Sequence, residues 1–118
     1  MDKLQEIAKR RKAAHGKMLA LDSKVYRAFL EMEKAAYSDG ALPKKTKELI
    51  ALGISVVTDC ESCMQWHIEQ AAKAGASERE VLEAMEVAIE MAAGRATVSA
   101  RFALEVMDSV FQPPAAGG

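Results

Sequence analysis

Residues 45–75 read KTKELIALGISVVTDCESCMQWHIEQAAKAG, and this stretch constrains the fold more tightly than any other part of the chain. In its first half Leu49, Leu52, Ile54, Val56 and Val57 make a helix apolar on most sides, which is expected to be buried. Pro43, just upstream, suits the first turn of that helix. The second half opens at Asp59 or Cys60, keeps helical spacing to Ala74 and stops at Gly75, a residue suited to a left-handed cap. If 60–67 is helical, Cys60, Cys63 and His67 stand at i, i+3 and i+7, so both sulfurs and the imidazole share one face.

Working outward, a basic amphipathic helix runs from about Asp2 to Lys17. A second, from about Asp22 to Tyr37, sets Val25, Phe29, Met32 and Ala36 on one face. The segment SDGALP breaks the pattern. Downstream, Ser77 with Glu80 forms a capping-box signature for a helix carrying Val81, Leu82, Met85, Ala88, Ile89 and Ala92. Gly94 permits a break before a last helix with Val98, Phe102, Val106 and Val110. No strand-like alternation competes, so the fold class is all-α, a compact domain of about five to six helices. The chain reads as one domain over 1–118: an N-terminal basic helix or arm at 1–20, a core motif region at 42–100 and a frayed tail at 112–118.

Composition agrees. The chain has 118 residues, 50% of them hydrophobic but only 5% aromatic, with Ala, Met and Leu prominent, which favours packed helices over sheet. A formal net charge of −1 gives no global pull toward nucleic acid. No apolar run approaches the ~20 residues needed to cross a bilayer, and no leader is visible, so the expected address is the cytoplasm. In a reducing compartment the two cysteines, in CxxC spacing, read as catalytic or metal-binding and not as a structural staple.

The chemistry of a dithiol explains why such a pair would sit beside a base. Only a thiolate attacks a peroxide or a disulfide, and a free cysteine with a pKa of ~8.5 is mostly protonated at neutral pH. A helix N-terminus and His67, one turn beyond Cys63, both favour the anion, which makes Cys63 the better activated thiol. Cys60 is placed to attack the oxidised sulfur and close a disulfide, halting passage to sulfinic and sulfonic acids. Glu48 joins this set only if its helix folds back on the cysteine helix. There it would orient His67 or carry a proton; otherwise it is an exposed charge pairing with Lys44 or Lys45.

Glu48, Cys60, Cys63 and His67, with the flanking KELIALGIS and HIEQAAKAGASEREVLEAMEVA, resemble the AhpD-like (alkylhydroperoxidase D-like) redox branch of the carboxymuconolactone decarboxylase family over roughly 42–100. The resemblance implies an all-helical fold, peroxidase or disulfide reductase activity and assembly into homo-oligomers, trimers or hexamers. It implies that Cys63 attacks, Cys60 resolves, and His67 and Glu48 relay protons. It also suggests a hydroperoxide or disulfide substrate and an external lipoyl or thioredoxin-like dithiol as electron donor. Ser62 stands where some redox members carry a second histidine.

Several other readings remain open at the level of sequence. Cys60, Cys63, His67 and Glu48 are acceptable zinc ligands, although no second CxxC or HxxxH accompanies them, so a non-catalytic metal-binding or assembly module is one alternative. A carboxymuconolactone-type decarboxylase is another, and that chemistry does not rely on a CxxC pair. No GxGxxG follows a strand, so no nucleotide or flavin cofactor is expected, and no resident metal. His15 has no cysteine one turn before it, as His67 has, and reads as a solvated or interface residue. Trp66 either shields the thiols or packs on a neighbouring helix, and Met85, Met91 and Met107 read as core filler. The run Lys9-Arg10-Arg11-Lys12 reads as a solvated helix face.

Overall fold

The computed structural model describes residues 1–112, and the expected frayed tail falls almost wholly outside them. Five helices follow one another: α1 (Lys3–Ala20), α2 (Lys24–Ala36), α3 (Lys44–Val57), α4 (Glu61–Lys73) and α5 (Glu78–Phe111), with no strand among the described residues. The all-α reading holds.

Each helix starts where a side chain can take up an orphan amide. Asp2 and Gln5 form a reciprocal capping box on α1, and Ser77 and Glu80 form the expected one on α5. Ser23 caps α2 by accepting from the Tyr26 amide at 3.1 Å. Pro43 occupies the N-cap of α3, one residue earlier than the first-turn position, and has no side-chain acceptor to offer. Asp39 supplies it instead, its Oδ1 accepting from the Lys44 amide at 2.7 Å.

The turns that end α1, α3 and α4 share one geometry. In each, a left-handed residue follows the cap, and the next two amides fold back on carbonyls of the last turn. Gly75 (φ 96°) does this after α4, with Ala76 N–H donating to the Ala71 carbonyl at 2.9 Å. Asp22 (φ 53°) and Asp59 (φ 54°) take the same role after α1 and α3, with Ser23 N–H to Met18 O and Cys60 N–H to Ser55 O. Aspartate tolerates this conformation better than most L-residues. The turn at Asp59 delivers Cys60 to the start of α4.

The core is small and lies where α3 is clasped between α4 and α5. Leu52 and Ala71 are fully buried, with Ala51 and Ala88 close to it. The expectation that α3 would be buried on most sides is corrected here. Ala51, Leu52 and Ser55 face inward, but Ile50, Ile54 and Val57 open to solvent in a single chain, Ile54 at 60%. Nor are the methionines core filler, since Met91 and Met107 are exposed and Met85 is only half-buried.

No break occurs at Gly94. The helix continues for 34 residues, about 51 Å at 1.5 Å per residue. A mid-helix glycine costs only about 1 kcal/mol relative to alanine, which its many helix-forming neighbours outweigh. Beyond Gly94 the helix leaves the core, and Val98, Phe102, Val106 and Val110 stand exposed. The α1–α2 hairpin reaches outward too, with Val25 and Met32 uncovered, so the face expected to pack on α2 stays largely open. The described chain extends 70 × 37 × 36 Å with a radius of gyration of 21.3 Å. A compact chain of this length would measure ~13–14 Å.

Candidate active site

α4 begins at the cysteine pair. Cys60 is the N-cap, not the first helical residue, and its Sγ accepts from the Cys63 amide at 3.3 Å. The two sulfurs are joined as a disulfide, which fits the expectation that both would lie on one side of the helix. His67 follows one turn after Cys63, and both residues line the same cavity. Cys60 does not border it, so Cys63 is the member of the pair presented to that space.

Glu48 comes from α3 and closes the arrangement. The packing of α3 on α4 that buries Leu52 and Ala71 also brings Glu48 Oε2 to 2.7 Å from His67 Nδ1. Glu48 is 1% exposed, so it is not a solvated helix charge. Its other oxygen, Oε1, accepts from Lys44 Nζ at 2.9 Å, so both of the sequence-based pairings proposed for it, toward the imidazole and toward a lysine, are present together. Lys45 pairs instead with Glu80 at 2.9 Å. A buried carboxylate needs this much satisfaction, because removing it from water without partners costs several kcal/mol. The Glu48 carboxylate accepts at Nδ1, so the proton of a neutral imidazole sits there and Nε2 keeps its lone pair. A base so disposed can take a proton from a thiol and return it to a leaving group.

Two aromatic groups escaped the sequence reading. The Tyr37 ring lies 5.3 Å from the His67 ring, and Lys44 Nζ sits 5.7 Å above the same tyrosine. Burial, and then the charges of Glu48 and Glu33, push the Tyr37 phenol above its ordinary value of 10.0, so it stays protonated at neutral pH. His15 is exposed, in keeping with a solvated residue, and it has a partner in the fold. Its Nδ1 is 2.6 Å from the Tyr26 hydroxyl, and both residues line the cavity that Cys63 faces. The signal for that pairing lay in the Asp22 turn, which folds α2 back beside α1. Trp66 lines the cavity as well, with Arg11 lying 5.2 Å over its ring.

Among the described residues no cluster of three or more His, Cys, Asp or Glu is arranged to hold a metal ion, and none of the helices is long and apolar enough to cross a membrane.

Comparison with known proteins places this geometry in context. The sequence pattern of the Carboxymuconolactone decarboxylase family matches residues 23–106. A Paracoccus denitrificans protein described as uncharacterized protein 4 in the cox locus is 40% identical over 98 residues, covering 83% of this chain and 88% of that protein. The crystal structure of a carboxymuconolactone decarboxylase family protein from Legionella pneumophila, in its apo form, superposes with a TM-score of 0.74. It is 33% identical, with 92% of this chain and 97% of that one covered. A Thermotoga maritima structure of the same family, described with a possible involvement in antioxidative response, gives a TM-score of 0.67 at 25% identity and covers 91% of both chains.

Proposed function

We propose that this chain, which belongs to the carboxymuconolactone decarboxylase family, is an AhpD-like thiol-dependent oxidoreductase that reduces hydroperoxides or disulfides through Cys60 and Cys63. The observation that carries this reading is the joined Cys60–Cys63 pair beside an imidazole that a buried glutamate orients. The antioxidative description of the Thermotoga maritima relative points the same way.

In the reduced protein, His67 Nε2 draws the proton from the Cys63 thiol, directly or through a water. The Cys63 thiolate attacks the terminal oxygen of a hydroperoxide; an S–O bond forms, the O–O bond breaks, and the alcohol leaves with a proton. Cys60 then attacks the sulfenic sulfur, releasing water and forming the disulfide. An external dithiol, lipoyl or thioredoxin-like in type, reduces the disulfide and is itself oxidised. With a disulfide substrate, the Cys63 thiolate attacks one sulfur and expels the other half as a thiolate; Cys60 then displaces the half left on Cys63 as a second thiol and closes the same disulfide. Glu48 holds the ring, and Lys44 takes up the other oxygen of Glu48.

Peroxide consumption in the presence of a dithiol reductant tests this. Cys63→Ser should abolish turnover. Cys60→Ser should stop after one equivalent, trapped as a sulfenic acid or mixed disulfide that mass spectrometry detects. A Cys63→Ser protein as active as the parent would refute the assignment.

A further inference from the structure

The basic run 9–12 divides once α1 is folded. Arg10 pairs with Glu6 on its own helix at 3.1 Å, and Lys9 borders a shallow outer cleft with Met1 and Gln5, a cleft that Lys12 also touches from its place between the two spaces. Arg11 and Lys12 reach the wall of the cavity that Cys63 and His67 face. That cavity is about 480 Å³, within the range of small-molecule sites. Its lining changes character from one part to the next: Tyr26, Phe29, Leu30 and Trp66 are apolar or aromatic, the cations come from α1, and the sulfur comes from α4.

Arg11 is held in place. It donates from Nη2 to Gln65 Oε1 at 2.9 Å and lies over Trp66, which uses one of its five N–H groups and leaves others free to bind an anion. Lys12 enters no ion pair among the described residues. Glu33 is the one carboxylate on the wall, and it also borders the neighbouring recess that contains Lys34, Tyr37 and Lys44. One held cation, Arg11, and one unpaired, exposed cation, Lys12, therefore face one carboxylate that has lysines of its own nearby.

We propose that this cavity is a subsite for an amphipathic carboxylate, whose head is taken by Arg11 and Lys12 while its apolar body lies against Phe29, Leu30 and Trp66 and brings its reactive group to Cys63. The natural substrate class is then a hydroperoxide or disulfide on an acyl chain bearing a free carboxylate. A hydroperoxy acid would be reduced to the hydroxy acid, with one water released and the dithiol oxidised to the disulfide. The identity of the reactive group rests on the redox function proposed above; recognition of the carboxylate does not.

Trp66, the only tryptophan in the chain, supplies a readout independent of turnover. The disulfide form is titrated with octanoate and with methyl octanoate while Trp66 emission is followed. Octanoate should give a saturable change with an affinity about tenfold tighter than the ester, the scale of one charge-assisted hydrogen bond. Lys12→Gln, at an exposed position, and Arg11→Gln should each bring that ratio toward one, with circular dichroism confirming parental helix content. Equal affinity for acid and ester, no saturable response to octanoate, or a full acid preference retained by Lys12→Gln would each overturn the inference. In parallel, kcat/KM is compared for a fatty-acid hydroperoxide and its methyl ester. Turnover of both at equal rates would sink the carboxylate subsite and leave the peroxidase reading standing. Octanoate preference without any turnover would uphold the subsite and sink the peroxidase reading.

Discussion

Glu48 and His67 lie 19 residues apart in sequence and on different helices, yet Oε2 and Nδ1 meet at 2.7 Å with the carboxylate almost wholly shielded from water. A hydrogen bond to a buried, ionised acceptor fixes both the tautomer and the direction of the ring. Glu48→Gln preserves the shape but removes the charge and sets an amide against the Lys44 ammonium. Turnover should fall about 10–100-fold, at or below the low end of the ~10²–10⁴-fold a general base itself supplies, because Glu48 positions the base and is not the base, while the dithiol still titrates. Kinetics with a dithiol reductant, paired with a thiol count, check this; parental activity would separate Glu48 from the proton path.

Lys44 holds the opposite oxygen of the same carboxylate and is itself partly exposed. Lys44→Met leaves the buried charge with His67 alone, and stability should drop by ~1–3 kcal/mol, discounted from the fully buried case by solvent at the lysine. Lys44→Arg should recover most of it. Urea unfolding followed by circular dichroism gives the difference.

How much of this arrangement could be read from the chain depends on the kind of contact involved. Cys63 and His67 were legible because helical periodicity alone aligns them, and Cys60 because the CxxC spacing sets it at the helix start, although it caps α4 and is not part of its first turn. Glu48 was legible only as a possibility, since periodicity says nothing about which helices pack. The contacts of Tyr37 and His15 were missed because their partners, His67 and Lys44 for the one and Tyr26 for the other, sit on different helices, and periodicity does not say how the turns between helices bring them together. Gly75 announces a left-handed turn, whereas Asp22 and Asp59 reach the same backbone region without an unmistakable signature. Gly94 misled in the opposite sense: a single glycine permits a break but does not enforce one, and alanine-rich flanks carry α5 through it. The burial expected of α3 failed because a pattern apolar on several sides does not say whether each side is covered by the same chain.

That uncovered surface leads to a prediction about assembly. With four buried apolar residues among those described and long exposed rows on α3 and α5, we expect a homo-oligomer in solution; the family resemblance, not the exposed surface, suggests a trimer or hexamer. Sedimentation equilibrium should return a multiple of 12.8 kDa, and Phe102→Glu, far from the cysteines in sequence, should lower it. A parent that sediments as a monomer at micromolar concentration would contradict this.

Leu52→Ala and Ile54→Ala separate the two kinds of apolar surface on α3. Leu52 is wholly buried within one chain, and its truncation should cost ~2–5 kcal/mol at any protein concentration. Ile54 is 60% exposed, so its truncation should matter only through association. Melting curves across a hundredfold dilution series distinguish them.

Glu80 gives a pH dependence with a definite sign. The Ser77 backbone amide, and then the Lys45 ammonium, hold its carboxyl below the ordinary value of 4.5. A depressed folded-state pKa contributes stability that is present above 4.5 and is lost as pH falls through the folded value. The melting difference between parent and Glu80→Gln should therefore be largest near neutrality and shrink in acid. A difference independent of pH would show that the charge is idle.

The sulfur of Cys60 has a second duty, since it also terminates α4 by receiving the Cys63 amide. Oxidation and reduction alter that acceptor, so the electron count of the pair is written into the backbone one turn away. A single isotope-labelled nitrogen at Cys63 would let a magnetic-resonance experiment follow the cycle in real time, with no added dye and no consumed substrate.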